Sequence, residues 1–111
     1  MLSSLKKTYD FKQVYNRRRS VANGLLVLYV RENALPFSRL GISASRKVGN
    51  AVARNRIKRI IKEHMPLIGI AHGYDLVVVV RPAAAEIQKE NASRRIGESL
   101  RGLLSRQKVL L

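Results

Sequence analysis

Apolar residues recur along this chain in two rhythms, one helical and one alternating. After Asn50, a good N-cap residue, Ala53, Ile57, Ile60, Ile61 and His64 return at helical spacing, which predicts a helix with one buried stripe ending before Met65 and Pro66. Residues 5–16 predict a shorter amphipathic helix with Leu5, Phe11, Val14 and Tyr15 apolar. From Asn91, another candidate N-cap, Ile96, Leu100, Leu103 and Leu104 mark a closing helix. Between these lie strand signals. Residues 25–32 are rich in leucine, valine and tyrosine, and residues 39–45 alternate Leu40, Ile42 and Ala44 against Gly41, Ser43 and Ser45. With a turn at residues 33–36, these two runs predict an antiparallel hairpin, after a polar interval at residues 20–24. Residues 74–81, YDLVVVVR, predict a central strand buried on both faces. The order strand, basic helix, strand predicts a parallel crossover, right-handed on general grounds.

Charge changes the picture most at residues 45–62, SRKVGNAVARNRIKRIIK, which hold seven bases; no acid occurs between Phe37 and Lys62. On the helix, Asn55, Lys58, Arg59 and Lys62 fall opposite the apolar stripe, with Arg54 and Arg56 at its borders. Arg54, Lys58 and Lys62 form an i, i+4 row of like charges, which costs a few tenths of a kcal/mol per pair. A polyanion would neutralise that row, and nucleic acid is the commonest such partner. Near the start, Phe11 and Tyr15 stand four apart among Lys6, Lys7, Lys12, Arg17, Arg18 and Arg19. Such rings either pack into a core or serve as a stacking platform for unpaired bases.

The net charge of +15 on 111 residues is unevenly placed: residues 1–62 carry fifteen bases and two acids, residues 63–111 seven and five. The length fits one domain over residues 1–111, and the hydrophobic content of 46% argues against disorder. Self-repulsion of this size predicts a free protein stabilised by any anion that binds its folded state. The start, MLSSLKKTYDF, lacks the apolar core of a signal peptide, no run is long enough to span a bilayer, and the absence of cysteine suits a reducing cytoplasm.

Candidate catalytic chemistry is sparse. The seven acids are scattered, two histidines without cysteine make a poor metal site, and His64 belongs to an apolar stripe where a packed role is favoured. GNAVARNR lacks the Gly-Lys-Ser/Thr ending of a phosphate-cradling loop. These patterns assign no catalytic and no metal-ligating residue, so any catalysis is expected to reside in a partner.

The ordered motifs resemble the protein subunits of bacterial ribonuclease P. Gly49 to Glu63, GNAVARNRIKRIIKE, is similar to the family signature with Arg54-Asn55-Arg56 at its core; LKKTYDFKQVY, GISASRKVGN and YDLVVVVRP are similar in the same order. The resemblance implies an α+β domain of order αβββαβα, related to a ribosomal protein fold, with a left-handed βαβ crossover around the basic helix. It implies an RNA-subunit surface of Arg46, Lys47, Asn50, Arg54, Asn55, Arg56, Lys58, Arg59 and Lys62. It also implies a cleft for the single-stranded 5′ leader of precursor tRNA, with Phe11, Tyr15, Arg17, Tyr29, Arg31, Ser43, Ser45 and Lys47. The expected activity is endonucleolytic leader removal by the RNA subunit with magnesium bound mainly by that RNA, in the cytoplasm, without a membrane or an obligate protein partner. The rival readings are a general RNA-binding or ribosomal-type protein and a protein nuclease with a dispersed site.

Overall fold

The computed structural model describes residues 2–111. Five strands form one sheet: β1 (Ser3–Ser4), β2 (Ser20–Ala22), β3 (Leu26–Glu32), β4 (Arg39–Ser43) and β5 (Tyr74–Val80). Its spatial order is β1-β4-β5-β3-β2. Helices α1 (Thr8–Asn16), α2 (Ala51–His64) and α3 (Lys89–Arg106) pack on it, with 3₁₀ turns at Met65–Leu67 and Pro82–Glu86. The result is the α+β order αβββαβα with a two-residue strand added in front.

The central position of β5 explains its composition. Flanked by strands on both edges and by helices on both faces, it buries Asp75 through Val78 and Val80. On one face Leu26, Leu28 and Val30 of β3 and Leu76, Val78 and Val80 of β5 meet Ile57, Ile60 and Ile61 of α2 and Ile96, Leu100, Leu103 and Leu104 of α3. Each such burial contributes about 1.5–3 kcal/mol, so this layer dominates stability. Among the described residues the other face carries only α1, through a small cluster of Leu5, Val14 and Val77 with Phe11, Tyr15, Tyr29 and Val79 around it.

The hairpin expected from residues 25–32 and 39–45 does not form. β3 pairs antiparallel with β5, and β4 pairs parallel with β5 from its other side. The most apolar strand displaces the local partner because, buried on both faces, it gains most at the centre. The crossover from β4 through α2 to β5 is parallel, as expected. Residues 20–24 are not merely a polar interval, since Ser20–Ala22 pair antiparallel with β3. The first helix begins at Thr8, because Leu5 leaves the helix to continue the β1 edge, donating its N–H to the Leu40 carbonyl. β4 ends at Ser43, leaving Ser45 in the following turn. The closing helix begins at Lys89 with Gln88 as N-cap, not at Asn91, and no side chain caps it.

Two local devices set the start of α2. Gly49 takes φ of +152°, a conformation costly for a residue with a Cβ. Asn50 then accepts the Ala53 N–H on Oδ1 at 2.9 Å. Asn50→Ala is expected to cost about 1 kcal/mol, read as a lower urea midpoint with unchanged m-value. At the other end His64 packs against α3. Its ring lies where a Gly97 Cβ would stand, 2.5 Å from Cε1, and Nε2 pairs with Ser93 Oγ at 3.0 Å. The packed role expected for His64 is the observed one.

Candidate nucleic-acid interface

The α1-bearing face of the sheet is organised in three rows by strand register. The first row places Arg31, Asp75 and Arg39 side by side on β3, β5 and β4. The second places Tyr29, Val77 and Gly41 in line, and the third Val27, Val79 and Ser43. Helix α1 lies over the first two rows. Phe11 sits directly on Gly41, where an added Cβ would fall 2.5 Å from the ring, so only glycine admits the aromatic there. Tyr15 meets Tyr29 edge to face, with centroids 4.9 Å apart and planes at 84°. The third row is left half-buried. The corner between helix and bare sheet, with the Tyr15–Tyr29 pair on one side and Val27, Val79 and Ser43 as its half-buried floor, is the candidate cleft.

The first row, on the other side of the Tyr29–Val77–Gly41 row, is a charge cluster. Asp75 is fully buried. It accepts Arg39 Nε at 2.8 Å and Nη2 at 2.7 Å, Asn33 Nδ2 at 2.8 Å and Arg31 Nη1 at 3.4 Å. Asp10 of α1 reaches the same Arg39 at 3.9 Å. Burial alone would raise the Asp75 carboxyl, but the Arg39 and Asn33 hydrogen bonds and the two guanidinium charges outweigh it and hold the group below its ordinary range. The hydrogen bond to Asp75 in turn raises Arg39.

Arg31 makes the longest contact of this cluster and stays partly exposed. Arg39, Asp75 and Asn33 escaped the sequence patterns. Their signal was an acid and a base at the head of two strands, but only the β4–β5 register makes it legible. Arg17 is exposed at the end of α1 and shares a shallow cavity of about 250 Å³ with Arg19 and Arg31. Ser45, Arg46 and Lys47 are exposed in the turn that links β4 to α2.

The second surface lies on the far side of the sheet. Along α2, Asn55, Arg59 and Lys62 are exposed, while Arg54, Arg56 and Lys58 are half-buried at its borders. Arg59 pairs with Glu63 at 3.6 Å, an exposed i, i+4 contact worth little. Arg54, Arg56, Lys58 and Lys62 have no acidic partner within 4.0 Å among the described residues. Asn50 is exposed, but its side-chain oxygen is committed to the helix cap. Among the described residues no three of His, Asp and Glu gather as a metal set, and the buried Asp75 is already saturated by donors. The donor set does not fit a resident metal.

The sequence model of the family described as Ribonuclease P matches residues 2–106. The chain belongs to the ribonuclease P protein family. The ribonuclease P protein component of Alkaliphilus metalliredigens is 38% identical over 110 residues, covering 97% of this chain and 96% of that protein. The component from Clostridioides difficile is 40% identical over 108 residues, covering 95% and 91%. The ribonuclease P protein structure from Staphylococcus aureus superposes with a TM-score of 0.87 at 36% identity over 100% of both chains. That from Thermotoga maritima gives 0.84 at 32% over 94% and 96%. As a ribonuclease P protein component the chain works with the RNA subunit of a ribonucleoprotein endoribonuclease, in the processing of tRNA 5′ leaders, and catalysis is carried by the RNA. No helix among the described residues is long and apolar enough to cross a membrane.

Proposed function

We propose that residues 1–111 act as one RNA-binding unit that holds two RNA segments at once. The α2 face and the preceding turn, with Arg46, Lys47, Arg54, Asn55, Arg56, Lys58, Arg59 and Lys62, bind the RNA subunit. The cleft with Phe11, Tyr15, Arg17, Tyr29, Arg31, Ser43, Ser45 and Lys47 receives the single-stranded 5′ leader of precursor tRNA. One observation carries this reading: a largely acid-free cationic helix face and an aromatic-walled cleft occupy opposite faces of the same sheet.

Cations on α2 displace counterions from RNA phosphates, which makes the affinity steeply salt-dependent. In the cleft, Tyr15 and Tyr29 offer ring faces to splayed bases, and the valine floor excludes water beneath them. Fixing leader and catalytic RNA to one rigid sheet raises the effective concentration of the scissile bond at the RNA's own active site. Magnesium, bound mainly by the RNA, supplies the metal chemistry; the protein's positive field reduces how much is needed. The place of action is the cytoplasm.

The test is cleavage of precursor tRNA by a bacterial ribonuclease P RNA at low magnesium, with the protein, without it, and with the protein alone. Stimulation only in the combined reaction is expected, and cutting by the protein alone would overturn the assignment. Within that assay Tyr15→Ala should weaken leader-bearing substrate by about 1–3 kcal/mol, the worth of one stacked base, while leaderless tRNA binds as before. Equal losses on both substrates would remove Tyr15 from leader recognition.

A further inference from the structure

A second concavity, of about 310 Å³, lies along the outer edge of β4, between the two surfaces described above. Strand β1 pairs with Arg39 and Leu40 of β4, and Leu5 extends that edge to Gly41, so at Ile42 and Ser43 the outer edge has no neighbouring strand among the described residues. The apolar side chains of Leu40 and Ile42 line the hollow. Ser3 and Ser4 of β1 and Lys58 and Lys62 of α2 also line it. Phe11, seated on Gly41, is a further part of its wall, which places the ring between this hollow and the cleft. No acid lines it.

A hollow that combines apolar side chains with two lysines and two serines is amphipathic in the same sense as a nucleotide, which presents a ring and a phosphate. A peptide strand adding to the bare β4 edge is the alternative occupant, but lysines beside an exposed edge commonly serve to repel such pairing. Lys58 and Lys62 are also continuous with the α2 cation row. We propose that this hollow binds one unpaired nucleotide of the catalytic RNA subunit, its base against Leu40 and Ile42 and its phosphate between Lys58 and Lys62. This rests on the assignment of the α2 face to that RNA.

The chain contains no cysteine, so a single introduced thiol can be labelled uniquely. Ser4→Cys, at an exposed position lining the hollow, is to carry a short photo-crosslinker in the complex reconstituted with a bacterial ribonuclease P RNA and precursor tRNA. Asn55→Cys, exposed on α2, is the parallel probe of the parent assignment. The expected result is that both probes crosslink the RNA subunit, Ser4→Cys at a discrete unpaired position. If Asn55→Cys crosslinks that RNA while Ser4→Cys reaches only the leader, a second protein copy or nothing, the nucleotide site is wrong and the α2 assignment stands. If neither probe touches the RNA subunit, both fall together.

Discussion

Replacing Asp75 by alanine is expected to lower the unfolding free energy by about 3–5 kcal/mol, a large share of the 5–15 kcal/mol typical of a domain. The carboxylate is fully buried, and four donors from Arg39, Asn33 and Arg31 converge on it. Removal leaves two guanidiniums facing each other across a vacated site, in a chain already carrying +15. Replacing Asp75 by leucine together with Arg39 by methionine should cost clearly less than the sum of the two single changes, because the buried carboxylate and its closest guanidinium leave together, and the charges that remain, Arg31 and Asp10, are partly exposed to water. Urea unfolding of the single and double variants measures this. An Asp75→Ala loss below about 1 kcal/mol would reduce the cluster to the rank of a surface pair.

The same cluster predicts the direction of the acid response. The folded carboxyl of Asp75 lies below its ordinary value of about 4, so its contribution is complete above that pH and is lost as pH falls through the lower folded value. Wild-type stability should therefore decline on acidification below about pH 4, and Asp75→Asn should flatten that decline while starting from a lower plateau.

The contrast between Asp75 and α2 shows what a linear chain makes legible. The stripe Ile57, Ile60 and Ile61, the Asn50 cap and the opposing cations are all set by spacing within one element, and each is found where helical periodicity puts it. The cleft is different, because its walls come from α1 and β3 and its floor from β3, β4 and β5. Phe11 and Tyr15 could be picked out as rings among cations. That Phe11 seats on Gly41 and Tyr15 meets Tyr29 depends on a sheet order in which β5 separates β3 from β4. The expected hairpin would have set β3 beside β4 and hidden the Arg31–Asp75–Arg39 row. A two-residue strand such as β1 has no periodicity to detect, so the hollow beside Ser3 and Ser4 could only emerge from the assembled sheet.

Changing Arg54, Lys58 and Lys62 together to alanine should separate binding from folding. These three form a like-charge row with no acidic partner within 4.0 Å among the described residues, so the free protein loses mainly mutual repulsion. Its unfolding free energy is expected to stay within about 0.5 kcal/mol of wild type, since alanine is also the best helix former. Binding to the RNA subunit should respond in the opposite sense. Three lost phosphate contacts remove up to about 2–3 units from the slope of log affinity against log salt, so the defect is greatest in dilute salt and shrinks as salt rises. Titrations of ribonuclease P RNA at several ionic strengths, beside urea unfolding of the same preparations, read both quantities. A variant that binds weakly because it is unfolded would show both losses at once. An unchanged salt slope in a stable variant would mean that the RNA is held elsewhere, and that the acid-poor face of α2 is an uncompensated cost of the fold.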